Sequence, residues 1–362
     1  FVPFIYTEAK DNASPVSLSD FGQVNIYVRA PAPTGLIASP LSGVVNLIWD
    51  QSVCGNAIGY RIYRKRGSSV GTPDCCSQTS PLDLGYTLVG SPNNFLDTIF
   101  TDISALAVGE EYCYVVTAIF TQNYESCISR ESCVKLKIDV PIITHVTVGV
   151  TNTTTGVDTI KWAKASDLDT VTNFPPPYLY KLYHKDGFTG ANNLIFTSPV
   201  YSQLYLSDTS FVHSNVNTQN GPNNYKVEMY HIVGSDTVLI GGTNTASSIF
   251  LLTTPNDNRI TLNWSETVPW TNSRYEVYKG IAIGGAFNLL ATTTSNSYVD
   301  SNLVNGKTYC YKIKSIGAYS DPTLVSPLIN LSQETCDSPI DLTPPCAPIL
   351  TIDNNCEDEL NY

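Results

Sequence analysis

One stretch of this sequence matches a catalytic signature. Residues 67–71, Gly-Ser-Ser-Val-Gly, fit the pattern Gly-x-Ser-x-Gly, which holds a serine nucleophile on a sharp turn between a strand and a helix. Here the stretch follows the basic run 64–66 and leads into Gly71-Thr72-Pro73, which is typical of a loop between two strands. We therefore interpret both serines as turn residues and predict no catalytic residue.

Metal and cofactor ligands are equally sparse. The four histidines, His145, His184, His213 and His231, share no metal-ligand spacing. The acidic stretches 167–169 and 353–359 offer oxygen atoms to calcium, but they lack the alternating acids and the glycine of an EF-hand loop. No glycine-rich phosphate loop is present. The sequence predicts no metal site and no cofactor, and it predicts solvated acidic turns and isolated histidines.

The cysteines suggest disulfide bonds. They fall in even numbers along the chain, with neither a Cys-x-x-Cys pair nor a histidine-rich partner segment, which favours disulfides over zinc and indicates export to an oxidising compartment. Buried reduced thiols in a cytosolic protein are the alternative, which the adjacent cysteines at 75 and 76 disfavour. The ten candidates are Cys54, Cys75, Cys76, Cys113, Cys127, Cys133, Cys310, Cys336, Cys346 and Cys356.

Composition predicts an all-β protein. Charged residues make up 14% of the 362 residues, against about 25% in typical domains, and Thr, Ser, Asn and Tyr take their place. The net charge of −12 without a basic patch makes nucleic acid and anionic lipid poor partners. No apolar run approaches the roughly 20 residues of a membrane span. The chain starts at Phe1 and not at a methionine, so the missing signal peptide says nothing about export.

A tryptophan followed by Tyr-x-aliphatic-Tyr occurs three times. The tryptophans at positions 49, 162 and 264 lie 113 and 102 residues apart, which is the length of one small β-sandwich. Seven apolar or alternating runs in the first copy, at 34–38, 44–49, 59–65, 86–89, 99–103, 111–120 and 133–138, predict its strands. We interpret the repeated aromatic residues as core.

A second repeat precedes a late strand of the copies. Leu-x-x-Gly-x-x-Tyr-Cys-Tyr occurs at 106–114 and again at 303–311, and it matches the tyrosine corner of β-sandwiches. In the middle copy Gly221 and Tyr225 remain while the leucine and the cysteine do not. The sequence therefore does not decide whether this copy has a tyrosine corner.

These residues resemble fibronectin type III domains over nearly the whole chain. The resemblance implies tandem β-sandwiches in an elongated array, with modules at 31–139, 140–247 and 248–338. Residues 1–30 would then end a preceding module. Residues 339–362 would begin a further one, since Leu360-Asn361-Tyr362 lines up with Leu262-Asn263-Trp264, and both ends of the chain would lie within a domain.

The repeat also implies disulfide pairs. Cys113 with Cys133, and Cys310 with Cys336, fall on the last two strands of their modules, and Cys346 with Cys356 would close a short loop. The pairing among Cys54, Cys75, Cys76 and Cys127 stays open.

The last third of the chain resembles one bacterial group more closely. Residues 309–322, YCYKIKSIGAYSDP, together with TPPCAP at 343–348, are similar to the modules that precede the gliding-motility-associated C-terminal domain of Bacteroidota surface proteins. That resemblance implies type IX secretion and an extracellular, outer-membrane-associated location. It also implies O-glycan acceptors at Asp-Thr-aliphatic sites, whose alternative is ordinary strand sequence. These sites are Thr98, Thr159, Thr170 and Thr237.

Two hypotheses of function follow. The first is a non-catalytic structural or adhesive segment of a large exported surface protein, linked to gliding or attachment. Its partners would be the type IX machinery, other cell-surface proteins or surface glycans. The alternative is a set of accessory modules of a large secreted hydrolase, which a catalytic domain elsewhere in the same polypeptide would reveal.

Overall fold

The computed structural model describes residues 4–10, 19–25, 29–41, 43–67, 75, 79–104 and 106–350. Within these ranges the chain forms 25 β-strands, three short 3-10 turns and no α-helix. The all-β prediction is confirmed. The first two strands, β1 (Phe4–Lys10) and β2 (Ser19–Asn25), pair antiparallel with each other.

The first sandwich contains two antiparallel sheets. Its strands are β3 (Ile37–Leu41), β4 (Val44–Ile48), β5 (Gly59–Arg66), β6 (Thr87–Gly90), β7 (Ile99–Asp102), β8 (Glu111–Ile119) and β9 (Ser132–Lys135). One sheet has the order β3-β4-β7 and the other β6-β5-β8-β9. The seven runs expected from the sequence all appear, shifted by a few residues at their ends.

The second sandwich repeats this order. Its strands are β10 (Ile142–Val150), β11 (Gly156–Ala163), β12 (Tyr178–Asp186), β13 (Asn193–Thr197), β14 (Ser210–Val216), β15 (Asn223–Val233), β16 (Asp236–Gly242) and β17 (Ala246–Ser247). The sheets are β10-β11-β14 and β13-β12-β15-β16, with β17 also on β15.

The third sandwich has the same plan. Its strands are β18 (Phe250–Asn256), β19 (Arg259–Ser265), β20 (Thr271–Gly280), β21 (Asn288–Thr293), β22 (Ser297–Ser301), β23 (Tyr309–Ala318), β24 (Leu328–Leu331) and β25 (Thr335–Asp337). Its sheets are β18-β19-β22 and β21-β20-β23-β24, with β25 also on β23. In every module the first, second and fifth strands face the third, fourth, sixth and seventh. This is the strand order of a fibronectin type III-like sandwich, and the described residues contain three in tandem.

The repeated tryptophan lies in the core of each module. It meets the first tyrosine of the motif edge to face, at ring-centroid distances of 5.3, 5.6 and 5.3 Å, a favourable geometry for aromatic pairs. All six side chains are at most 6% exposed. The pairs are Trp49 with Tyr60, Trp162 with Tyr180, and Trp264 with Tyr275.

The second tyrosine of the motif corrects the prediction that all these aromatic residues are core. Since side chains alternate along a strand, Tyr63, Tyr183 and Tyr278 lie on the outer face of the sheet. Tyr63 is covered by a small separate cluster that includes Tyr86 and Val115. Tyr183 and Tyr278 are half-buried, and the Tyr278 hydroxyl donates a 2.8 Å hydrogen bond to Glu276, which also binds Lys314.

Three disulfide bonds are present among the described cysteines. Cys113 is joined to Cys133 and Cys310 to Cys336, the two pairs that the repeat implied, and Cys75 is joined to Cys127. Cys54 and Cys346 have free thiols. Cys76 and Cys356 lie outside the described residues. Because Cys346 has a free thiol, its predicted disulfide with Cys356 is not formed in this structure.

The second and third modules pack side by side. Trp270, Tyr319 and Leu328 of the third module belong to the same buried cluster as the core of the second. The free edge of β10 runs alongside β24 and the segment that follows it. Here the amide N–H of Val146 donates to Asn330 Oδ1 at 2.9 Å, while the N–H of Leu331 and of Glu334 donate to Thr147 and Thr151 at 2.9 and 2.8 Å. The edges of two sheets thereby provide hydrogen-bond partners for each other's backbone N–H groups.

The β23–β24 loop (319–327) also reaches the first module. The N–H of Glu111 donates to Ser320 Oγ at 2.6 Å, and the N–H of Asp321 donates to the Gly109 carbonyl at 3.1 Å. Leu324 lies against Gly109, where an added Cβ would stand 2.7 Å from its Cδ1. One loop of the third module therefore holds all three modules together.

Candidate functional site

Most candidate residues from the catalytic signature and the acidic stretches have structural roles where the structure describes them. Gly67 directly follows β5, with a positive φ of 67°, while residues 68–71 of the Gly-x-Ser-x-Gly motif lie outside the described residues. Asp167 accepts a 2.8 Å hydrogen bond from the N–H of Ile138. Asp169 accepts from the N–H groups of Val171 and Thr172 at 3.1 and 2.9 Å. The contacts of Asp169 are those of a turn-forming aspartate, whereas Asp167 bonds a residue 29 positions earlier in the chain.

A buried acid, a tyrosine and a base form a network in the first and third modules. In the first, Asp102 accepts from the Tyr114 hydroxyl at 3.0 Å and from Arg64 at 2.8 Å. In the third, Asp300 accepts from the Tyr311 hydroxyl and from Lys279, both at 2.7 Å. The acid is the last residue of β7 and the last but one of β22, directly opposite an apolar residue of the second strand. A permanent cation thus compensates each buried carboxylate.

The second module rearranges this network. The acid moves to the second strand as Asp158, and its cross-strand partner is now His213. The position of Arg64 and Lys279 is taken by His184, whose backbone lies opposite Tyr225. Asp158 is 0% exposed and accepts from the Tyr225 hydroxyl at 2.8 Å. The Tyr225 hydroxyl is also 2.9 Å from His213 Nδ1.

The two histidines come together, which sequence spacing did not reveal. Their ring centroids are 5.0 Å apart at an interplanar angle of 70°, and His184 Nε2 is 2.9 Å from Asn223 Oδ1. His145 and His231 stay apart from them. His145 bonds Thr144, and His231 packs edge to face on Phe174. The prediction of four isolated histidines is therefore wrong for His184 and His213.

The corner of the second module, which the sequence left undecided, has an asparagine in place of the corner tyrosine. Tyr112 and Tyr309 accept from the N–H groups of Ala107 and Val304, at 2.8 and 3.2 Å, as a tyrosine corner requires. In the second module Asn223 takes this position and donates to the Asn217 carbonyl at 3.0 Å. Tyr225 stands two residues further on and bonds Asp158 instead.

Burial shifts the acid–base equilibria of this network. It raises the pKa of Asp158 to about 6, although the hydrogen bonds from Tyr225 and Asn223 oppose the shift. Burial, together with the neighbouring His184, lowers the pKa of His213. One oxygen of Asp158, Oδ1, is buried without a hydrogen-bond partner. These shifts favour a neutral imidazole at His213, and the network contains no serine, threonine or cysteine nucleophile.

Few other arrangements of the described residues suggest chemistry. Among them, one group of three potential metal ligands lies close together, Cys113, Glu131 and Cys133, and its two sulfurs are bonded to each other. Of the predicted glycan acceptors, Thr237 is exposed and Thr98, Thr159 and Thr170 are half-buried. No helix among the described residues is long and apolar enough to span a membrane.

Comparison with known proteins gives distant relatives. No family model matches the chain. It is 26% identical over 338 residues to an amylopullulanase of Thermoanaerobacterium saccharolyticum, a match that covers 82% of this chain and 24% of that protein. An amylopullulanase of Thermoanaerobacterium thermosulfurigenes is 25% identical over 354 residues, covering 83% of this chain and 17% of that protein. The chain thus spans about a quarter or less of the relatives it matches.

Two solved structures are similar to the chain. The FN1-FN3 domains of chicken CNTN1 cover 87% of this chain and are themselves covered completely, at 14% identity and a TM-score of 0.25. An Fn3-like protein from Clostridium thermocellum covers 30% of this chain and is 95% covered, at 25% identity and a TM-score of 0.22.

Proposed function

We propose that these modules are a non-catalytic accessory segment of a longer exported enzyme that degrades polysaccharides. The observation that carries the proposal is the match to two proteins named amylopullulanase. A match covering 82% of the chain must include part of each of the three sandwiches. The name of those relatives denotes action on starch-type glucans and pullulan, so the same substrate class is proposed for the enzyme that contains this chain.

In that enzyme the segment would have a mechanical part. Three sandwiches with disulfides in the first and third, and a shared core between the second and third, form a stiff support for a neighbouring domain. Disulfides also fit the oxidising environment that an exported protein meets. Export by the type IX system and a role in gliding or attachment stay predictions of the sequence, and the relatives favour the hydrolase hypothesis over them.

The test uses the purified 362-residue chain with pullulan and soluble starch. We expect no release of reducing ends above buffer, because the chain would contribute support and not chemistry. Reducing-end release that survives repurification would overturn the non-catalytic assignment. The sequence of the complete polypeptide tests whether the segment belongs to an enzyme. A glycoside hydrolase domain in that polypeptide would support the proposal. A type B sorting domain without any hydrolase domain would favour the adhesive hypothesis instead.

A further inference from the structure

We propose that His184 and His213 form a two-imidazole binding site for a divalent transition metal ion such as Ni²⁺, Cu²⁺ or Zn²⁺. The site would join the two sheets of the second module, since His184 lies on β12 and His213 on β14, which belong to different sheets. These ions are the ones that imidazole ligands suit. The site is independent of the accessory role proposed above.

The hydrogen bonds fix which nitrogen of His213 is bare. The Tyr225 hydroxyl donates a 2.8 Å hydrogen bond to Asp158 Oδ2. Its oxygen can then only accept from His213 Nδ1, 2.9 Å away. Nδ1 therefore carries the hydrogen, and Nε2 keeps its lone pair. A carboxylate that orients a histidine in this way is the usual outer support of a metal ligand, and here a tyrosine relays it.

The bare nitrogen of His184 follows from Asn223. The amide nitrogen of Asn223 donates to the Asn217 carbonyl at 3.0 Å, so its Oδ1 faces His184 Nε2 as an acceptor at 2.9 Å. His184 Nε2 must donate, and its Nδ1 keeps the lone pair. In its neutral form each ring therefore has one nitrogen available, which is the form of histidine that binds metals.

The two bare nitrogens have no hydrogen-bond partner. In the part of the chain that the structure describes neither makes a hydrogen bond and neither is among the fully buried polar atoms without a partner, while His184 as a whole is 8% exposed. The rings lie 5.0 Å apart between centroids. Two nitrogens at about 2.1 Å from one tetrahedral ion are about 3.4 Å apart, so binding would require the two rings to turn toward each other. Water molecules would complete the coordination.

The other modules explain why such a site belongs in the second. At the equivalent positions the first and third modules have a permanent ion pair, Arg64 with Asp102 and Lys279 with Asp300, and each also has a disulfide between its last strands. The second module has neither a cysteine nor a permanent cation at this place. A metal clip between β12 and β14 would stabilise it by binding only the folded state.

The experiment titrates the tag-free 362-residue chain, with its free thiols alkylated, with Ni²⁺ alone at about pH 7.5, where neutral imidazole predominates, by calorimetry. We expect one equivalent to bind, and its binding to raise the midpoint of thermal unfolding. His213→Gln should weaken binding at least tenfold. His145→Gln, a half-buried histidine away from the site, serves as the matched control and should leave binding unchanged.

A second measurement on the unaltered chain guards against a variant that fails to fold. Paramagnetic Ni²⁺ should broaden the ring-proton resonances of His184 and His213 at one equivalent and spare those of His145 and His231. Absence of broadening up to millimolar Ni²⁺ would overturn the proposal. Equal broadening of all four histidines, or binding that His213→Gln leaves intact, would do the same by showing adventitious surface binding only.

Discussion

The hydroxyl of Tyr319 donates a 2.7 Å hydrogen bond to the backbone carbonyl oxygen of Ile143, 176 residues earlier in the chain. Tyr319 belongs to the third module and Ile143 to the first strand of the second. The ring of Tyr319 packs edge to face on Trp270 at 5.9 Å, and its side chain is 5% exposed. A single tyrosine thus contributes both an apolar surface and a polar contact to the shared core.

We expect Tyr319→Phe to lower the free energy of unfolding by about 1 to 2 kcal/mol, because it removes a buried hydrogen bond and leaves the acceptor in place. Tyr298→Phe is the matched control, since Tyr298 is half-buried against the core of the third module alone. It should change stability by less than about 0.5 kcal/mol. Urea unfolding followed by tryptophan fluorescence measures both. Equal losses for the two variants would show that the contact between modules adds nothing.

Gly109 and Gly306 allow a second comparison. Both occupy the same repeated corner with positive φ, 89° and 76°, but an added Cβ meets Leu324, Ile142 and Tyr319 at Gly109 and nothing within 4 Å at Gly306. Alanine at either position should cost about 1 to 2 kcal/mol for the left-handed backbone. Gly109→Ala should cost more than Gly306→Ala, because it also pushes the β23–β24 loop away. Identical unfolding midpoints for the two variants would contradict the docking of this loop.

A third prediction concerns pH. Burial raises the pKa of Glu266 to about 7 from its usual 4.5, although Tyr275 and Asn272 donate hydrogen bonds to it. Because the folded state holds this proton more tightly than the unfolded state, Glu266 costs stability progressively as the pH rises from about 4.5 to 7. Glu266→Gln should therefore gain stability relative to the parent over this interval, reaching about 3 kcal/mol at most above pH 7.

Chemical unfolding of the parent and of the Glu266→Gln variant at several pH values measures this difference. Asp158 contributes a slope of the same sign, but it is common to both proteins and cancels. Glu276→Gln is the control. Its hydrogen bond from Lys314 lowers the pKa of Glu276 from 4.5, so that change should produce no gain as the pH rises above this value. A stability difference between the parent and the Glu266→Gln variant that stays flat across the interval would refute the assignment of Glu266.

The fourth prediction concerns the disulfide of the third module. In the unfolded chain this disulfide closes a loop of about 26 residues. Replacing Cys310 and Cys336 together by alanine releases that loop and should lower the free energy of unfolding by about 3 kcal/mol. Because the second module shares its core with the third, hydrogen exchange of β11 amides in the Cys-free second module should accelerate as well. The matched pair Cys113→Ala and Cys133→Ala, in the first module, should affect β11 less. Unchanged exchange of β11 in the first variant would mean that the second module unfolds independently.

The sequence predicted the structural features that recur in each module and depend on neighbouring residues. The alternation that ends in Trp49, Trp162 and Trp264 reports strands and their buried face, and the corner motif reports the start of β8 and β23, because neighbouring residues determine both. Contacts between modules carry no such signal. Asn330 and Thr147 read as ordinary polar strand residues, and only the placement of β24 beside β10 turns them into hydrogen-bond partners.

The candidate site escaped prediction for a related reason. His184 and His213 lie on different sheets, and no spacing along a single strand shows that their rings meet. A signal was nevertheless present in the repeat, since aligning the three modules places His184 where the others have Arg64 and Lys279. The outward second tyrosine could likewise have been found, because two tyrosines three residues apart on a strand must face opposite sides of the sheet.

The parallel course of β10 and β24 determines how this chain would respond to tension. A pull on the start of the second module and on the end of the third draws these two strands in opposite directions along their length. The bonds at Val146, Thr147 and Thr151 would then be loaded together in shear, and none could open first as in unzipping. Under load, the two modules would resist as one short block before either sandwich extends.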